Sequence, residues 1–282
     1  MIFRVPASRQ LIYNAPMMDV SVILQAVTVA LFFPGLRSFF QPGRDEPIPM
    51  VWQVLPAAAA ALWCIFAAAD GWREDVSYTL WVSSTTVLIL HLIFALRSET
   101  MRRLAGLVLC YGCIACLLSA LAGMAGVQRL GMVGGWIVVH IVIALSAYGL
   151  ITLASIAALS VVLKERALKS RQINRFTSSL PAVVMGEGLQ FRLLIMGEAV
   201  LAAGLVTGIS VQVSSDLPVF SIDHKTILLV GTFVLIAFLL IIQQMFGYRG
   251  RRASSLVLIV CLLITLAFPG VKFVSDVLIA AG

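Results

Sequence analysis

The chain has 282 residues, 61% of them hydrophobic and only 12% charged, with a formal net charge of +7 at pH 7 and a mean hydropathy of +1.03. Such a composition excludes an ordinary soluble domain. The basic excess does not mark a nucleic-acid binder either, because Lys and Arg sit beside apolar runs, with no separate basic domain and no aromatic stacking platform.

Apolar stretches of about 18 or more residues with few charges read as transmembrane helices. Lipid forces their backbone groups to pair within the segment, so helices rather than loops or open sheet are expected. Eight such segments are predicted, near 19–36, 50–69, 78–96, 103–123, 136–163, 193–213, 226–246 and 254–271. The expected fold is an all-α integral membrane protein, a bundle of eight transmembrane helices forming one polytopic domain over 1–282. No cleavable signal is expected, since the first apolar run begins after Asp19 and lacks a small-residue cleavage site.

Taken in chain order, the first 18 residues are short and mixed. Arginines follow the first and third spans, at 37–49 and 97–102, while the intervening segment DGWREDVS at 70–77 carries three acids and one Arg. The segment 124–135 is glycine-rich but lacks the Lys and Ser/Thr of a phosphate loop. The helix opening at Trp136 reaches towards Arg166, longer than the hydrocarbon core needs, so it tilts or emerges. The longest polar stretch, 164–192, is broken by Leu180-Pro181. Gly197, Gly204 and Gly208 on the next span suit close helix packing. Most of the 20 Lys and Arg fall in alternate loops, including 164–192. By the positive-inside rule that stretch faces the cytoplasm and both termini lie outside. Lys164, Arg166, Lys169, Arg171 and Arg175 are then expected beside anionic headgroups.

Few residues in the spans carry chemistry. Cys110, Cys113 and Cys116 share a helix face, but structural zinc sites wrap the ion with turns, so small apolar packing is the plainer reading. No CxxCH is present, which excludes a c-type cytochrome. Of three histidines, His140 lies one turn into the fifth span and His224 just before the seventh, at the same expected outer face. Imidazole is a common axial ligand of haem iron. Trp136, His140, Ala144 and Tyr148 form one stripe. The alternative is an interfacial Trp anchor and a packing His. His91, near the inner end of the third span, suits a buried His bonded to a neighbouring helix. Glu198 is expected near the cytoplasmic end of its span, pairing with Arg192 or taking a proton in a relay. No Ser-His-Asp set, HExxH or carboxylate pair is found, so an enzyme is not expected.

The stretch WIVVHIVIALSAYGLITLASIAALSVVLKERALKSR resembles the central span of the cytochrome c assembly (CcsA/CcmC-type) haem-handling family, where a His opens the helix and an Ala-Tyr follows. LPAVVMGEGLQFRLLIMGEAVLAAGLVTG and DHKTILLVGTFVLIAFLLIIQQMFGYRGRRAS are similar to the two following spans, so the resemblance covers about 130–275, nearest to the HemX-like or YpjD-like branch. It implies an inner-membrane protein of bacteria that binds or handles haem in cytochrome c maturation, with His140 and His224 as ligands and Trp136 and Tyr148 lining the site. The family's Trp-rich W-x-W-D-P-K-E motif is replaced by VFSIDHKT, where Asp223 and Lys225 remain. A His of the family near the inner end of the seventh span is replaced around Gln243 and Gln244. Expected partners are the lipid bilayer and cytochrome c maturation proteins, with no nucleic acid. A rival reading is a regulator or scaffold of tetrapyrrole metabolism that binds a cytoplasmic partner through 164–192. A third is a small-molecule transporter using Glu198 and His91.

Overall fold

The computed structural model describes residues 7–41, 47–69, 73, 75–122, 134–171, 175–214, 224–247 and 250–270. Every regular element among them is helical: α1 Ala7–Phe40, α2 Met50–Ala68, α3 Val76–Ala95, α4 Glu99–Arg103, α5 Ala105–Ala122, α6 Gly135–Lys169, α7 Arg175–Ser179, α8 Val183–Ser214, α9 His224–Phe246 and α10 Arg251–Thr265, which runs into a π-helical turn, Leu266–Gly270. Seven of these helices are long and apolar enough to cross a membrane, and an eighth apolar helix, within α5, is shorter. The segment 124–133 and Asp223 lie outside the described residues.

The central helix is α6, packed on α8, α10 and α3, while α1, α2 and α5 close the bundle on the far side of α3. Its 35 residues span about 52 Å at 1.5 Å per residue, against ~30 Å of hydrocarbon, so it is longer than the core needs, as expected. Asp75 opens α3 by accepting the Tyr78 N–H at 3.1 Å, and Arg73 holds that carboxylate through two nitrogens at 2.9 and 3.0 Å.

The face of α8 against α6 is lined by small residues. A Cβ on Gly186 would lie 2.8 Å from Val161, and one on Gly197 would lie 2.9 Å from Ile151. In lipid, where apolar transfer gives helices no drive to associate, such close backbone approach supplies the packing that does.

Two expectations are corrected where α6 ends and α8 begins. The stretch 164–192 is mostly helix: α6 continues to Lys169, α7 follows, and α8 starts at Val183 rather than near 193. Pro181 stops α7, and the Ala182 carbonyl accepts the Gly186 N–H at 2.9 Å, so a new helix opens at once. Lys164 is likewise committed inward. Its ammonium donates to the carbonyls of Thr177, Ser178 and Leu180, around the end of α7. Lys164→Met should leave the membrane helices intact but speed amide exchange over 175–180 about tenfold, the equivalent of ~1.4 kcal/mol of local stability. Unchanged exchange would show that the three bonds hold nothing in place.

Candidate functional site

The neighbours of α6 decide what its polar stripe can do. Gly186, Gly197 and Gly208 of α8 meet Val161, Ile151 and His140 of α6 in turn, and Gln243 and Gln244 late in α9 share a cleft with Glu187 early in α8, so the start of α6, the end of α8 and the start of α9 share one end of the bundle. His140 is the sixth residue of α6 and His224 the first of α9, which puts both at that end.

The His140 ring packs against α8 where Gly208 leaves room; a Cβ there would come within 3.2 Å of Cε1. Nδ1 lies 3.0 Å from Thr207 Oγ1. The Thr207 hydroxyl already donates to the carbonyls of Ala203 and Gly204, at 3.0 and 3.1 Å. With its one proton on those carbonyls, the hydroxyl accepts from His140 Nδ1–H, the tautomer whose basic nitrogen is Nε2. An imidazole held by its Nδ1–H, with Nε2 as the basic nitrogen, is the arrangement found in metal-ligating histidines.

The rest of the stripe separates. Trp136, on the first turn, is half exposed. Tyr148 lies about 12 Å further along the axis than His140. It is buried, its hydroxyl 3.0 Å from that of Tyr111 and its ring 5.8 Å from Phe268. It joins α6 to α5 and the C-terminal turn rather than to His140.

His91 is at the opposite end, buried between α3 and α2. Its Nε2 lies 3.0 Å from Gln53 Oε1, and Gln53 Nε2 donates to the Ile48 carbonyl at 2.7 Å. The amide thus accepts from His91 Nε2–H, and Nδ1 is left buried with no partner among the described residues. The five cysteines are free thiols. Cys116 Sγ lies 3.9 Å from Ser84 Oγ, and no cluster of three His, Cys, Asp or Glu is found among the described residues.

The expected Glu198–Arg192 pair is not formed. With α8 starting at Val183, Glu198 falls at mid-helix, and both its carboxylate oxygens are buried without a hydrogen-bond partner among the described residues. Six residues of helix turn Arg192 some 240° away from it, and Arg192 is exposed.

Thr207 and Gly208 are the neighbours of His140 that reading the stripe alone misses. The available signal was a hydroxyl residue set beside Gly208 in the small-residue series of α8.

Together these helices define a polytopic α-helical membrane protein. No family model and no solved structure matches the chain. It is 39% identical over 262 residues to an uncharacterized 28.8 kDa protein in a nifR3-like 5′ region of Azospirillum brasilense, covering 91% of this chain and 96% of that one. The chain belongs to the same family as this protein.

Proposed function

We propose that this protein is a haem-handling protein of the bacterial inner membrane, related in role to the cytochrome c assembly family, with α5 as an eighth span and both termini outside. The observation that supports this most is the 3.0 Å contact of His140 Nδ1 with the Thr207 hydroxyl, at the end of the bundle where α9 opens with His224. In this reading His140 Nε2 and His224 hold the iron, and Trp136 flanks the ring edge. Tyr148 stays outside the pocket. Haem would supply an iron centre whose coordination and potential follow its axial ligands. The chain itself would orient the ligand and pass it on, without catalysing attachment alone.

His140→Ala and His224→Ala should each reduce retained haem or shift its absorption band, with partial rescue by imidazole. Thr207→Val should weaken haem binding by about tenfold, as for other partners of ligating histidines. His91→Ala should change neither. Identical spectra for wild type and both outer-histidine variants would count against the reading.

A second reading, a scaffold for a cytoplasmic partner, is favoured by one observation. The end of α6 and the two residues after it expose Arg166, Leu168, Lys169 and Arg171. Loss of a copurifying protein on reversing these charges, with haem binding intact, would favour it.

A further inference from the structure

A cleft of about 380 Å³ lies between the inner ends of α8, α9 and α10, away from the histidine end. Its polar lining comes from Glu187, Gln190, Gln243, Gln244 and Ser254, and Phe191 also lines it. Ser254 Oγ donates to Gln190 Oε1 at 2.9 Å, which ties α10 to α8 at the wall. Gly250, at φ 85°, opens α10 here. Glu165 and Glu187 both approach this glycine: a Cβ on it would lie 3.5 and 4.0 Å from their Oε1 atoms. At ~30 Å³ per molecule, the cleft has room for about a dozen waters.

Glu198 stands above the cleft on the same helix face. At 100° per residue, Glu187, Phe191 and Glu198 fall within about 20° of one direction, with Glu198 roughly 16 Å above Glu187 and 10 Å above Phe191. At its depth the neighbouring helices present no charge. Gly197 meets Leu150 and Ile151 of α6. The titratable residues of α6 are His140 and Tyr148 towards the outer end and Lys164, Glu165, Arg166 and Lys169 at the inner end. Those of α9 are His224 and Lys225 in its first turn. In α10 they are Arg251 and Arg252 at the inner end and Cys261. In α4, at the inner end, they are Glu99, Arg102 and Arg103. A carboxylate with no counter-charge and no donor at this depth is costly, and intramembrane groups of this kind mark ion and proton pathways.

We propose that Glu198 is a proton-binding site inside the membrane, loaded from the cleft between α8, α9 and α10 past Phe191. Water in the cleft delivers the proton, Glu187 and the amide groups hold that water, and the proton adds to a Glu198 carboxylate oxygen to give the neutral acid. Phe191 stands between the cleft and Glu198 on that helix face, and its rotation admits the water that bridges the last two turns of helix. This site is independent of the histidine end.

The test is infrared spectroscopy of the full-length protein in lipid vesicles. Glu198→Gln, which keeps the side-chain volume, should remove one protonated-carboxyl C=O band. In wild type that band should shift on transfer to D₂O. Phe191→Ala should speed the shift, and Phe191→Trp slow it, each by about tenfold, or ~1.4 kcal/mol on the barrier. Absence of a Glu198-dependent band at every pH, or exchange indifferent to residue 191, would overturn the proposal.

Discussion

Trp81→Ala should lower the stability of the detergent-solubilised protein by about 3 kcal/mol, the low end of the range for buried Trp truncation. The low end applies because lipid-like surroundings leave lost packing, not transfer to water, as the main term. Trp81 on α3 and Trp63 on α2 are both 0% exposed, with ring centroids 4.9 Å apart, and Tyr78 lies 6.1 Å from Trp63. Deleting one ring leaves a cavity that two rigid helices cannot close. Trp81→Phe separates packing from polarity. It keeps most of the ring contact and removes an indole N–H that has no partner among the described residues, so it should cost less than half as much. A thermal melt of the three proteins checks this, and equal losses for Ala and Phe would show that ring packing is not what α2 and α3 share.

Gly197→Leu should be more disruptive still, and in a different way. Even the first carbon of a side chain there lies 2.9 Å from Ile151 Cγ1, 3.5 Å from Leu150 Cβ and 3.6 Å from the Ile151 backbone nitrogen. The obstacle is partly backbone, so α8 must move away from α6. Overpacking of this kind costs about 1–3 kcal/mol where side chains can yield, and more where they cannot. Because α8 also carries Thr207, the displacement should weaken the hold on His140, although the two sites are about 15 Å apart along the helix. Loss of folded protein, or survival with His140-dependent properties altered, is expected. Gly197→Ala should fall between. Wild-type melting in Gly197→Leu would contradict the close approach of these helices.

The helical class was legible because nearly every span is a long apolar run, and the overlength of α6 was legible from the distance between Trp136 and Arg166. The segment joining α6 to α8 was not. Lys164, Glu165, Arg166 and Lys169 give the end of α6 the composition of a loop, and Glu187, Gln190 and Arg192 do the same for the start of α8. Hydropathy measures solvent preference, and a helix that leaves the membrane keeps its hydrogen bonds while changing its side chains. Lys164 has the sequence signature of a headgroup contact, and its acceptors are backbone carbonyls, which no sequence pattern displays. The Glu198–Arg192 expectation followed from proximity in the chain, while the 100° step of the helix sets the two apart. In the candidate site, the common end of His140 and His224 follows from helix order alone. The Thr207 partner, and the commitment of Tyr148 to Tyr111, depend on which faces of α6, α8 and α5 meet, which one sequence does not state.

The most direct measurement of the proposed role is an absorbance spectrum of the purified wild-type protein, incubated with haem and washed free of excess. A Soret band that survives washing, with the shape of bis-imidazole coordination, is the predicted result. A folded protein, confirmed by its helical circular dichroism and a cooperative melt, that retains no haem would contradict it.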